Sequence, residues 1–149
     1  MAITASGLYV ATFVDVLDTT QLALDLDLET HKGALFSNTI TPNFTTDTAY
    51  GVAPYNANEV SGTNWASGGV ALTGTTVAGA AGTLTFDATD VSVATTTLVN
   101  ARGYLLYADA LAGNNAICLV DFGADYSTTA GTFAITWNAS GIFTIDFTP

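Results

Sequence analysis

The sequence predicts an all-β domain, either an antiparallel β-sandwich or a jelly-roll-like barrel, with a short N-terminal helix as its one non-β element. Apolar and polar residues alternate with period two in many short runs, which is typical of strands with one buried face. Turn signals rich in Gly, Asn and Asp separate about eight to ten such runs, the spacing of sandwiches and barrels. The 149 residues suit a single β-sandwich domain spanning positions 1–149.

The alternation is clearest near the C-terminus. Two runs of large apolar residues alternate with small polar ones on either side of a turn at 138–141: Phe133, Ile135 and Trp137, then Phe143, Ile145 and Phe147. We expect the two runs to pair as an antiparallel hairpin. Their large side chains would then share one buried face and form the centre of the core.

Residues 1–20 form an N-terminal segment that is either helical or an arm used in assembly. Four apolar residues lie on one helical stripe: Tyr9, Phe13, Val16 and Leu17. Ser6 is placed to cap such a helix. The β-branched residues of this segment keep a strand open as the alternative.

Residues 22–29 alternate strictly and predict a strand with leucines inward and carboxylates outward. Asp25, Asp27 and Glu29 are therefore the candidate ligands for a hard cation such as Ca²⁺. Residues on one strand face are about 7 Å apart, so a single ion would also need loop ligands. The glycine and distal glutamate of a calcium loop are missing. A solvated acidic face is the alternative, and no metal or other cofactor is expected.

The stretch 37–64 is irregular and unusually long for a loop in a small domain, which is typical of functional or interface segments. It brings together four large aromatic residues, the last just past its end: Phe44, Tyr50, Tyr55 and Trp65. We expect them to form the partner interface, since aromatic residues are effective anchors. The alternative is that they fold back as a second small core.

The charge balance excludes several partners. Thirteen acidic residues face only Lys32 and Arg102, for a net charge of −11. A nucleic-acid backbone and an anionic membrane surface would both repel such a chain. We also find no signal peptide and no apolar run long enough to cross a bilayer. Arg102 is expected to form a structural ion pair with Asp121.

The surface has few charges of either sign. Charged residues make up 10% of the chain, against a usual share of about 25%. Together with a mean hydropathy of +0.41, this favours a surface covered by copies of the chain or by partners.

No catalytic constellation is apparent, and we expect the protein not to be an enzyme. His31 is the one histidine, no nucleophile elbow is present, and a place for His31 in a turn is favoured. Cys118 lies within an apolar strand and is expected to be buried and inert. A glycan hydrolase would need paired carboxylates, for which Asp87 and Asp121 are the residues to test.

Several stretches occur together in a fixed order. They are ALFSNTITPNF (34–44), DTAYGVAPYNANEVSGT (47–63), GGVALTG (68–74), LTFDATDV (84–91), ARGYLLY (101–107), VDFGADYS (120–127) and GTFAITWNASGI (131–142). This order resembles a family of small structural proteins encoded by tailed bacteriophages. The resemblance covers most of the chain from about position 24. Its motifs are strands and turns, and it implies no catalytic residue.

The resemblance implies a virion component, most simply a head decoration protein on the outer capsid surface, made in the host cytoplasm during assembly. Its partners would be the major capsid protein and copies of itself, commonly as trimers. The alternative is a tail-fibre or receptor-binding β-domain that contacts a host glycan through Tyr55 and Trp65. Copy number separates the two, because fibres are few and decorations are many.

Overall fold

The computed structural model describes residues 2–148 and is mostly β-structure, with one short helix in that part of the chain. The predicted all-β, antiparallel fold is confirmed. The elements are β1 (Gly7–Leu8), α1 (Val10–Leu17), β2 (Lys32–Phe36), β3 (Glu59–Val60), β4 (Val70–Ala71), β5 (Thr76–Ala80), β6 (Thr83–Asp87), β7 (Val91–Tyr107), β8 (Ala116–Ile135) and β9 (Phe143–Asp146).

The strands form two sheets. The larger has the order β1-β8-β7-β2-β3, with β4 also paired to β2, and the smaller has the order β5-β6-β9. Strand β2 is buried on both faces, since it lies against β7 in the middle of the large sheet. Its consecutive residues Leu35 and Phe36 therefore point to opposite faces of the sheet and into two different cores.

One core contains Leu35, and the other contains Phe36. The first lies between the large sheet, the small sheet and the far end of the β7–β8 hairpin, and it includes Tyr104 and Phe86. The second lies beneath the N-terminal residues and the irregular stretch 37–58, and it includes Ile3. The large sheet is thus covered on both faces.

The β7–β8 hairpin is long and strongly curled. Its strands have 17 and 20 residues, and the register shifts repeatedly between them. Phe122 and Phe133 have ring centroids 6.0 Å apart, although eleven residues of straight strand would span about 36 Å. Four residues near the register shifts have positive φ angles: Thr95, Asn100, Gly123 and Ala130. Bulges of this kind bend a strand pair, so both halves of the hairpin reach the first core.

The predicted C-terminal hairpin is wrong. The end of β8 pairs with β7, Ile135 opposite Val91, whereas β9 pairs with β6 in the other sheet, Phe143 opposite Phe86. Alternation identified the buried faces, but it does not choose between equivalent apolar partners.

The six predicted core residues differ in how deeply they are buried. Phe133 and Ile135 are buried, while Trp137 and Phe143 are half-buried and pack against the first core. Ile145 is also half-buried. Phe147 is wrongly predicted, because it follows the end of edge strand β9 and 68% of its side chain is exposed.

The predicted N-terminal helix is present as α1, but its orientation differs. Ser6 does not cap it; the Ser6 hydroxyl accepts a hydrogen bond from Asp121 N–H instead. Thr12 is the buried helical residue and donates to the Ala116 carbonyl at 2.5 Å, so Leu17 is turned outward and is 84% exposed. No helix of residues 2–148 is long and apolar enough to cross a membrane.

Residues 22–29 are not a strand, which corrects the prediction. They form an extended piece followed by a turn at 26–28 and pair with no strand of the described chain. Leu22, Leu24 and Leu26 are half-buried, but Leu28 is 83% exposed. Side chains in this stretch bind the backbone groups that a strand would pair with a neighbour, and this stabilises the turn.

Cys118 lies on β8 opposite Leu8 of β1 and is buried, as predicted. Burial in apolar surroundings raises the pKa of its thiol to about 12. The thiolate form is therefore strongly disfavoured in the folded protein.

Candidate partner interface

The aromatic stretch folds inward, which corrects the predicted interface. Trp65 is 0% exposed and packs edge to face on Phe133, with ring centroids 5.4 Å apart. Tyr55 is 2% exposed and packs edge to face on Phe36 at 5.2 Å. Trp65 belongs to the first core and Tyr55 to the second.

Phe44 and Tyr50 are half-buried and also face the domain. The Phe44 ring packs on Tyr9, with centroids 5.4 Å apart. Tyr50 stacks on Tyr107 at 4.5 Å, nearly parallel, and donates its hydroxyl to Glu59 Oε2 at 2.9 Å. Both contacts hold the irregular stretch against the large sheet, which leaves neither ring free as an anchor.

Glu59 fixes the end of this stretch. Its Oε2 accepts hydrogen bonds from Tyr50 and from the Ser67 hydroxyl, and its Oε1 accepts from Gly68 N–H at 2.7 Å. One carboxylate thereby satisfies three donors from two turns. We interpret Glu59 as a structural residue, since its oxygens are already occupied.

A hydrogen-bonded tyrosine pair lies in the second core. The hydroxyls of Tyr9 and Tyr55 contact each other, and burial raises the pKa of both well above its usual value. Both phenols are consequently neutral. The nearby Asp47 carboxylate is also buried and accepts a hydrogen bond from Asn43 N–H at 2.7 Å. The cluster closes the core and has the character of a structural network.

The candidate metal ligands do not converge on an ion. Asp25 Oδ1 accepts hydrogen bonds from the N–H groups of Asp27 and Leu28, and Glu29 Oε2 accepts from Asp25 N–H. A hydrogen bond between the two aspartate side chains lowers the pKa of Asp25 and raises that of Asp27. Among residues 2–148, no three His, Cys, Asp or Glu side chains are grouped to hold a metal ion.

His31 is buried directly before β2, which corrects its predicted place in a turn. Its Nε2 lies 3.1 Å from the carbonyl oxygens of Asp25 and Leu26, and its ring packs edge to face on Phe86. The imidazole therefore ties the acidic turn to the first core. No sequence pattern indicates this contact, because it depends on the fold of the turn.

Both basic side chains are paired within the domain. Arg102 Nε lies 2.7 Å from Asp121 Oδ1, the ion pair predicted from the sequence, and its Nη1 lies 3.7 Å from Asp125. Lys32 Nζ lies 3.0 Å from Asp109 Oδ2. Ten further acidic residues have no basic side chain as a partner in the described chain, so most of the charge on the outer surface is negative.

Several large apolar side chains are exposed instead of the predicted aromatic residues. Val10, Val14 and Leu17 lie on one side of α1, since they are spaced by four and three residues. Leu28 and Phe147 are exposed on other parts of the domain. The alternation of residues 22–29 and 143–147 predicts that Leu28 and Phe147 lie on buried faces, whereas the structure exposes both side chains.

No protein-family model matches the chain, and neither a curated protein nor a solved structure is significantly similar to it.

Proposed function

We propose that the chain is a structural protein of a tailed-bacteriophage virion and that it decorates the head by binding the capsid lattice. The observation that carries this proposal is an apolar, weakly charged outer surface. Leu17, Leu28 and Phe147 are each more than two-thirds exposed. These side chains lie on separate parts of the domain, and on this proposal neighbours in the assembly cover them.

The order of sequence motifs supports the virion assignment. The motifs at 34–44 and 101–107 include β2 and the end of β7, which pair at the centre of the large sheet. The resemblance thus concerns the scaffold of the domain as well as its surface. On this proposal the partners are the major capsid protein and further copies of the chain.

The proposed mechanism is mass action. A protein that binds only the assembled lattice stabilises the lattice by the free energy of that binding. An interface of about 800 Å² on each partner is enough for specific attachment. Because Phe44, Tyr50, Tyr55 and Trp65 face the domain, we assign the contact to the exposed apolar residues and not to the aromatic stretch.

The receptor-binding alternative depended on Tyr55 and Trp65 as a stacking platform for a glycan. Both rings are buried, so neither offers a face to a sugar. This favours the decoration role over the tail-fibre role.

The test is the location and copy number of the chain in the particle. Heads and tails of the encoding phage are separated, and the chain is quantified against the major capsid protein. The proposal expects near-stoichiometric amounts in the head fraction. A few copies confined to tails would support the receptor-binding alternative, and absence from both fractions would overturn the virion assignment.

A further inference from the structure

The outer edge of β8 is unpaired over most of its length. Strand β7 covers one edge of β8 from Ala116 to Ile135. On the other edge, β1 pairs only through Gly7 with Leu119 and through Leu8 with Cys118. No other strand of residues 2–148 pairs with this edge. Near β1, the Ile117 carbonyl accepts from Tyr9 N–H and Asp121 N–H donates to the Ser6 hydroxyl, but beyond Gly123 this edge presents main-chain donors and acceptors that an added strand can satisfy.

A groove lies along the same part of β8, on the inside of its curl. It has a volume of about 420 Å³ and is lined by Phe122, residues 126–128 and residues 132–136. We call it the β8 groove. Phe122 packs on both Tyr126 and Phe133 at 6.0 Å, which makes one end of the groove aromatic. Since a cavity of about 150 Å³ accepts a benzene ring, the β8 groove has room for a large apolar side chain.

The groove is open and uncharged. Tyr126 is 51% exposed, and the uncharged residues Ser127, Thr128 and Thr132 also line the groove. From position 126 to 136 the chain carries no charged residue and no proline. Lys, Pro and inward-facing charges are the usual protections of an edge strand, and only the bulges near Gly123 and Ala130 take that role here.

We propose that the outer edge of β8 binds an extended segment of a partner protein, which adds as a further strand and places an apolar side chain in the β8 groove. In this mode of recognition, main-chain hydrogen bonds supply affinity and the side-chain pocket supplies specificity. The identity of the partner as the capsid lattice protein rests on the proposed function. The negative charge of the chain favours a neutral or basic segment.

A second copy of this chain fits the edge less well. Pairing two β8 edges would bring together two domains that each carry a net charge of −11. It would also offer the groove only the small exposed side chains of Thr132, Ala134 and Thr136, because Phe133 and Ile135 are buried in the copy's own core. A bulkier side chain from a different protein would fill the groove better.

The first test uses hydrogen exchange of the unaltered protein, free and bound to heads of the encoding phage that lack it. We expect new protection of amides in 131–135 on binding. If the protein binds heads and protection appears only elsewhere, the edge assignment is overturned while the decoration role stands. If it does not bind heads at all, both the lattice partner and the proposed function are overturned.

The second test compares Ala134→Lys with Ser92→Lys. The two residues lie directly opposite each other on β8 and β7, both are exposed, and both changes add the same charge. Ala134 belongs to the β8 edge, where lysine blocks pairing, whereas Ser92 lies on β7, whose own outer edge is a separate one that β2 covers only at residues 103–107. We expect Ala134→Lys to weaken head binding about tenfold or more and Ser92→Lys to change it much less.

Equal melting temperatures of the two variants are the control for folding. Equal head affinities would contradict the proposal. Sedimentation tests whether a second copy of the chain occupies the β8 edge. If the unaltered protein is an oligomer and Ala134→Lys converts it to monomers, a second copy binds there and the partner assignment is wrong.

Discussion

The phenol ring of Tyr104 lies across Gly33, so close that a Cβ at Gly33 would be 1.7 Å from Tyr104 Cζ. The two residues belong to paired strands, with Gly33 opposite Leu106 and Leu35 opposite Tyr104. Tyr104 is fully buried, and its hydroxyl has no hydrogen-bond partner among the described residues. Glycine at position 33 is thus what allows an aromatic ring at the centre of the sheet.

Gly33→Ala is expected to destabilise the domain by about 1–3 kcal/mol or more, because the added methyl group overlaps the ring of Tyr104. The measurement is urea unfolding. Gly79→Ala is the matched control, since a Cβ at Gly79 meets nothing within 4 Å, and it should change stability by less than about 0.5 kcal/mol. Equal effects of the two changes would contradict the close contact.

Trp65→Ala is expected to cost about 3–5 kcal/mol, because it removes a large ring from the first core and leaves a cavity beside Phe133. Thermal and urea unfolding measure the loss. Phe147→Ala, at an aromatic residue that is largely exposed, should cost far less. If Trp65→Ala leaves the unfolding midpoint unchanged, Trp65 is at the surface and the interface first predicted for it deserves renewed study.

Arg102→Met is expected to destabilise by about 1.5–3 kcal/mol, because it removes a charged hydrogen-bond partner from the poorly exposed Asp121 carboxylate. Lys32→Met is the control. Its ion pair with Asp109 is about one-third exposed, so its loss should cost about 0–1 kcal/mol. Chemical unfolding at low salt provides the comparison. A larger loss for Lys32→Met than for Arg102→Met would refute this ranking.

Asp47→Asn is expected to stabilise the protein at neutral pH. Burial raises the pKa of Asp47, so its contribution to stability is fully present below its ordinary pKa and is lost as pH rises through the folded value. An amide oxygen can still accept the hydrogen bond from Asn43 N–H. The advantage of the variant should shrink towards zero near pH 3, which urea unfolding at the two pH values measures.

Asp146→Asn is expected to act in the opposite direction. Hydrogen bonds from the Thr148 side chain and backbone lower the pKa of Asp146. Its contribution is therefore present above the ordinary pKa and is lost as pH falls through the folded value. The variant should be slightly less stable than the unaltered protein at neutral pH and equal to it in strong acid. If Asp146→Asn instead stabilises the protein at neutral pH, the ionised Asp146 carboxylate does not contribute to stability as predicted.

The sequence predicted the class of the fold well and the strand partners poorly. Period-two alternation marks which residues face a core, and Phe133 and Ile135 are buried accordingly. It holds no information on which strand lies alongside, so β9 was assigned to the end of β8 although it pairs with β6. The same pattern in residues 22–29 fails because backbone N–H groups donate to the Asp25 and Glu29 carboxylates, which favours a turn.

The candidate site was predicted less well than the ion pair. The pairing of Arg102 with Asp121 follows from the opposition of Gly103 and Asp121 in the β7–β8 register. For the aromatic residues of the irregular stretch, the sequence is equally consistent with a place at the surface and a place in a core. Only the approach of the irregular stretch to the large sheet decides between them, and composition does not encode that approach.

The single thiol of the chain is a built-in reporter of opening motions. Cys118 lies on β8 directly beside the two-residue strand β1, which is one of the shortest pairings in the domain. A thiol reagent therefore reaches it only after the surrounding structure opens, by release of β1, by another local opening or by global unfolding. Comparing the labelling rate with the global unfolding rate would show whether the N-terminal segment detaches on its own, as a segment that repositions during particle assembly would have to do.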